Sequence, residues 1–105
     1  MIIAIDFDGT LCEFAYPRCG KPNKRVINKV KKNQYKHTFI LWTARSGKLL
    51  KKAIKWCKEQ GINFKYANMN DPRMLCYGDN RKIGADFYID DKSPGSIEYF
   101  LKMKL

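Results

Sequence analysis

The sequence predicts an α/β protein on a parallel sheet, and three observations carry that expectation. The run Ile2-Ile3-Ala4-Ile5 has no polar alternation, the pattern of a strand covered on both faces. Further short apolar runs follow at Thr38–Trp42, Ile62–Ala67 and Ala85–Ile89. Between them, apolar residues recur at helical spacing: Val26, Ile27 and Val30, then Leu49, Leu50, Ala53, Ile54 and Cys57. Strand, helix, strand, helix, strand implies right-handed crossovers and helices on both faces of the sheet, a three-layer α/β/α arrangement.

Each element has its own punctuation. Leu11 to Gly20 is turn-like, broken by Pro17 and Gly20. Asn23 is placed to cap a short helix ending near Asn33, and Ser46 to cap a longer one stopped by Gly61. Ile62 to Ala67 is the weakest strand signal. Asn68 to Arg81 is polar, with turns at Asp71-Pro72 and Gly78-Asp79-Asn80 and a helical turn near Met74. Ser96 to Lys102 forms a terminal helix that would pack Ile97, Phe100 and Leu101.

At 105 residues, the length suits one domain spanning residues 1–105 with a single core. An apolar fraction of 45% argues for a globular fold. No stretch approaches the roughly 20 apolar residues of a membrane span, and no basic segment with a signal-type apolar run opens the chain. These features predict a cytoplasmic protein. Cys12, Cys19, Cys57 and Cys76 show no zinc-finger spacing, so neither structural zinc nor disulfides are expected, and Cys57 reads as core.

Charge is the unusual property, with 21 basic residues against 10 acidic ones and a net +11. No acid lies between Glu13 and Glu59, whereas fourteen Lys or Arg lie there, from Arg18 to Lys58. Lysine-rich genomic bias is one reading of this segment. The other is a positive face for a polyanion, nucleic acid among them.

The chemistry gathers at strand ends. Asp6 and Asp8 follow the first strand directly, with Gly9 and Thr10 behind them. In open parallel sheets, ligands bind at the C-terminal edge. Uncompensated carboxylates are costly to bury there, so a bound cation is the expected compensation. Thr43 ends the second strand, Lys82 precedes the last, and Asp90-Asp91 closes Phe87-Tyr88-Ile89.

Asp6-Phe7-Asp8-Gly9-Thr10, Thr43, Lys82 and Asp90-Asp91, in that order, resemble the four motifs of the haloacid-dehalogenase (HAD)-like phosphohydrolases. The resemblance spans roughly residues 2 to 92. Leu41-Trp42-Thr43-Ala44-Arg45, Trp56-Cys57 and Ile89-Asp90-Asp91 look closest to small capless bacterial and phage members. It implies a Rossmann-like core with the first strand central, the second and third on one side and the last on the other. It also implies a Mg²⁺-dependent phosphatase in which Asp6 is the nucleophile and forms an aspartyl-phosphate. Asp8 would protonate the leaving group, activate water, and offer its backbone carbonyl to the metal. Asp6, Asp8, Asp90 and Asp91 form the implied metal site. Gly9, Thr43, Ala44, Arg45 and Lys82 would bind phosphate. The family's dehalogenases lack an acid at the place of Asp8, so phosphoryl transfer is favoured over carbon–halogen cleavage.

Other readings exist for several of these residues. Arg45 could serve the Ser46 helix start instead of phosphate, and Tyr16 could contact substrate from its turn. Trp42 and Trp56 read as packing residues, and His37, the only histidine, has no assigned chemistry. A response-regulator receiver would need an aspartate ending a middle strand, where this chain has Thr43 and Ala67-Asn68. Neither slot that holds a cap domain in larger relatives is long enough to bury a core of its own. An open, capless site is therefore expected, suited to a large substrate or completed by oligomerisation, and a nucleic-acid end, a nucleotide and a phosphoprotein all stay open as substrates. The rival reading keeps the fold as a basic nucleic-acid-binding module with little or no catalysis.

Overall fold

The computed structural model describes residues 1–105. Strand β1 (Ile2–Ile5) is buried at all four positions and sits inside a four-stranded sheet. It pairs in parallel with β2 (Thr38–Leu41), from Ile2 opposite Thr38 to Ile5 opposite Leu41. On its other edge it pairs in parallel with β4 (Phe87–Ile89). β3 (Tyr66–Ala67) joins β2, giving the all-parallel order β3-β2-β1-β4. This is the Rossmann-like α/β arrangement expected.

Alternation along the strands divides the core in two. Ile3, Ile5, Phe39 and Leu41 meet Val26 and Val30 of α1 (Lys24–Asn33), Ala53 and Cys57 of α2 (Gly47–Glu59), and Phe100 of α3 (Ser96–Lys102). Ile2 and Ile40 turn the other way, towards Ile83, with Met74 of the 3-10 helix Pro72–Tyr77 packed against them. Both faces carry helical structure, but the layers are unequal. Successive right-handed crossovers from β1 to β2 to β3 lay α1 and α2 on one face. The chain must then return to β4 across the opposite face. That return is polar and interrupted by Pro72 and Gly78, so it forms only a single 3-10 helix.

Several boundaries differ from the sequence reading. β3 is confined to Tyr66–Ala67 because Ile62 is committed to ending α2. With Gly61 at φ +92°, the Gly61 and Ile62 N–H groups donate to the carbonyls of Lys58 and Cys57, and Ile62 is buried in the core. This is a glycine-terminated helix end with its apolar contact, and it delays strand pairing. β4 starts at Phe87 rather than Ala85. Asn23 and Ser46 occupy the positions before α1 and α2, yet neither side chain accepts a capping hydrogen bond. All four cysteines are free, and burial pushes the Cys57 thiol up to about 12. No helix is long and apolar enough to cross a membrane.

Candidate active site

Because β1 and β4 are parallel neighbours, their C-terminal ends deliver Asp6 and Asp90-Asp91 to one place. The Asp6 N–H donates to the Ile89 carbonyl at 2.9 Å, locking the two strand ends together. One carboxylate oxygen each from Asp6, Asp90 and Asp91 lies within 4.8 Å of the others. Thr10, fully buried, ties the group together: its hydroxyl donates to Asp6 Oδ2 at 3.1 Å and accepts the Asp91 N–H at 3.0 Å. Asp90 is fixed by its own loop, where its carboxylate accepts the Lys92 N–H at 2.9 Å and its backbone exchanges two bonds with the Ser96 hydroxyl.

Crowding shows in the protonation of these groups. Burial, and then the neighbouring Asp90 carboxylate, push Asp6 from 3.8 up to about 7, against a lowering contribution from the Thr10 hydroxyl. Asp90 is also raised, chiefly by burial. Three converging carboxylates supply only hard oxygen donors, a set that fits Mg²⁺ or Ca²⁺ rather than a softer metal. Asp6, Asp90 and Asp91 therefore fit a divalent cation.

Asp8 departs from this group. Its carboxylate takes a two-pronged bond from Arg45, Nε to Oδ2 and Nη2 to Oδ1, both at 2.8 Å. Arg45 is only 1% exposed and also donates to the carbonyls of Pro17 and Arg18 at 3.0 and 2.9 Å. Its guanidinium packs on the rings of Phe7 and Tyr16. One expectation is corrected here. Arg45 does not offer a free fork to phosphate, because four of its N–H bonds go to Asp8 and the loop. The Asp8 side chain stands outside the three-carboxylate group, so only its backbone carbonyl, as the resemblance implied, would be offered to a metal.

Gly9 is also placed differently from the expectation of a phosphate donor. Its N–H donates to the Cys12 carbonyl at 2.9 Å. Its backbone is at φ +89°, and a Cβ there would lie 2.5 Å from Asp91 Oδ2. Glycine is required for this close approach. Thr43 and Ala44 do line the cleft, as expected. The Thr43 hydroxyl accepts the Arg45 N–H at 3.1 Å, which leaves its proton available to a ligand. Lys82 lies outside the cleft lining, with its ammonium 5.7 Å from the centre of the Tyr88 ring. The adjoining Ile83 is buried, whereas Lys82 itself is exposed.

Sequence reasoning missed four contributors. Asn68, at φ +54°, accepts the Thr43 N–H and donates to the Arg45 carbonyl, holding the loop after β2. Lys92 lines the cleft, as do Phe14 and Trp42 beside the expected Tyr16. The cleft encloses about 450 Å³. A positive-φ asparagine after a strand end has no distinctive local pattern, but Lys92 beside Asp90-Asp91 was open to notice.

A solved structure, the conserved protein coded by locus from Bacteroides thetaiotaomicron, is similar over most of both chains. Identity is 44%, with 92% of this chain and 80% of that chain covered and a TM-score of 0.82. The chain belongs to that protein's family. No protein-family model and no curated protein matches it. The family relation agrees with the fold, and the chemistry rests on the site itself.

The basic segment shared by α1 and α2 lies on one side of the sheet. Lys24, Arg25, Lys31 and Lys32 are exposed on α1, and Lys48, Lys51, Lys52, Lys55 and Lys58 on α2. Lys29 is not part of this free face. Its ammonium donates to the carbonyls of Leu101 and Met103, where it complements the C-terminal end of α3.

Proposed function

We propose that the chain is a Mg²⁺-dependent phosphatase of the HAD-like type, hydrolysing phosphoric monoesters through an aspartyl-phosphate at Asp6. The observation that carries this reading is the convergence of Asp6, Asp90 and Asp91 at the C-terminal edge of a parallel sheet. Asp6, Asp90 and Asp91 would hold Mg²⁺, joined by the Asp8 carbonyl that the motif resemblance implies. Bound there, the ion would offset carboxylate repulsion and neutralise charge on the phosphoryl group. An Asp6 oxygen attacks phosphorus, and the bond from phosphorus to the leaving oxygen breaks. Water then attacks the acyl phosphate at phosphorus, releasing inorganic phosphate and restoring Asp6. Thr43 donates to a phosphoryl oxygen.

Asp8 is the proton carrier of this scheme, giving a proton to the leaving oxygen and later taking one from water. To do so it must release at least one Arg45 N–H. Lys92 at the cleft rim supplies the positive charge expected of Lys82, which reaches the site only by leaving Tyr88. No inserted domain follows β1 or β3, so the open cleft admits large esters such as nucleic-acid ends as well as nucleotides. Turnover of a phosphate-ester panel with and without Mg²⁺ tests the proposal. No Mg²⁺-dependent phosphate release from any ester would reject it.

The retention of Asp8 by Arg45 and the position of Lys82 favour one second reading, a basic nucleic-acid-binding module with little or no catalysis. Binding of DNA or RNA by a protein inactive on every ester would select it.

A further inference from the structure

Two aromatic side chains at the cleft are left in solvent although the loop that bears them is firmly held. Phe14 is 72% exposed and Tyr16 51% exposed. Their loop is closed by the Glu13 N–H donating to the Lys21 carbonyl at 2.8 Å, and pinned by Arg45 through Pro17 and Arg18. Trp42 lines the same cleft from the end of β2, with its ring tilted against Tyr88 at 5.2 Å between centres. Three rings thus border a cleft whose other lining includes four carboxylates, and Phe14 is the most exposed of the three. Large rings held rigid and exposed mark a binding surface rather than a core.

A second depression adjoins this one. Gly9 abuts Asp91 and also lines a groove with Lys24 and Arg25 at the start of α1. Two cations, Lys24 and Arg25, and one acid, Glu13, therefore line a groove that leads away from Asp91 on the side carrying the basic helices. Aromatic rings for bases beside a cationic track for phosphates are the two components of single-strand recognition.

We infer that the cleft takes the phosphorylated terminal nucleotide of a single-stranded nucleic acid, its base stacked on Phe14 and Trp42 and its following phosphates on Lys24 and Arg25. This rests on the proposed function for the phosphoryl group's place at Asp6. Tyr16, packed on Arg45, holds the loop so that Phe14 stays presented. A free nucleotide shares the base but has no use for the cationic track, and an aromatic phosphopeptide shares neither the base nor the track.

Binding without turnover separates this inference from the phosphatase reading. Titration calorimetry with the wild-type protein and Mg²⁺ would use pentathymidylate ending in a non-hydrolysable 5′-methylenephosphonate. The comparison ligands are the thymidine mononucleotide phosphonate, ribose 5-phosphonate without a base, and a phosphonomethyl-phenylalanine peptide. The pentamer should bind at least about tenfold more tightly than the baseless sugar, the scale of one base–aromatic stack. Phe14→Ala should weaken pentamer binding by about tenfold, and Phe14→Tyr, which keeps the ring, should restore it. Equal affinity for pentamer and baseless sugar, or an unaffected Phe14→Ala, would overturn the inference, as would tighter binding of the peptide. Parity between mononucleotide and pentamer would overturn the strand and leave free nucleotides as the ligand. Base-dependent binding by a protein that hydrolyses no ester would sink the phosphatase reading and sustain the base platform.

Discussion

Replacing Arg45 with Met separates a clamp from a phosphate ligand. Methionine retains most of the aliphatic stem but none of the four hydrogen bonds to Asp8, Pro17 and Arg18. The Pro17 and Arg18 carbonyls belong to exposed residues and can turn to water, so their loss costs little. Asp8 is different, with a side chain only 14% exposed and no other ion pair. Stranding one member of a buried pair costs about 3–5 kcal/mol, and partial hydration of Asp8 favours the lower end, about 3 kcal/mol. For a domain of this size that is a fall in Tm of about 12–24 °C. Adding Asp8→Asn removes the stranded charge, so the double variant should be more stable than Arg45→Met alone. Urea unfolding followed by circular dichroism, without metal, measures all four proteins of the cycle. If Arg45→Met stays within about 1 kcal/mol of wild type while KM for esters rises, Arg45 binds phosphate and the clamp is refuted.

Three further outcomes follow from the same geometry. Asp6→Asn should abolish turnover and, at pH 8 without metal, raise stability by about 1 kcal/mol, a figure discounted for the screening felt by a part-exposed carboxylate; retention of more than about a tenth of the rate would remove Asp6 from the nucleophile role. With its folded value about 7 against 3.8 unfolded, Asp6 stabilises the metal-free protein fully below about pH 3.8, and this contribution is lost as pH rises through 7. Mg²⁺ must displace that proton, so its affinity should fall by about tenfold per pH unit below 7, and calorimetry showing a flat profile from about pH 5 to 8 would contradict the assignment. Changing Lys24, Arg25 and Lys32 together to Gln, with Lys29 kept, should flatten the log–log salt dependence of single-strand binding by about 2, and an unchanged slope would place the nucleic acid elsewhere.

What was legible in the sequence was local or periodic. β1, β2 and the three helices follow from apolar spacing, and Asp6 and Asp90-Asp91 reach one edge because parallel neighbours must end together. What was not legible depends on partners distant in sequence. Arg45 pairs with Asp8 across 37 residues, and no motif says whether a guanidinium faces ligand or protein. Lys29 looks like one more exposed helix lysine until α3 places its last carbonyls within reach, more than 70 residues later. Ile62 satisfies a strand pattern and a helix-end contact equally well, and the Gly61 conformation decides between them. The exposure of Phe14 and Trp42's place at the cleft depend on how a loop folds back over the edge, which composition does not encode.

The order in which the chain leaves the ribosome bears on how the site comes into being. β1 is made well before its partner β4 and the acids Asp90 and Asp91, which come more than 80 residues later. The Thr10 hydroxyl waits for an amide made 81 residues later. A nascent chain holding β1, β2 and their helices has Asp6 but neither of the other two clustered carboxylates. It also carries one unpaired edge of its most apolar strand, a template for adhesion between growing chains. A cation that needs all three carboxylates could not organise the chain early, and a chain cut short before residue 90 would lack the cluster and keep an adhesive edge. The strand that completes the acid cluster also covers that edge, so the cluster and the paired sheet arrive in the same event.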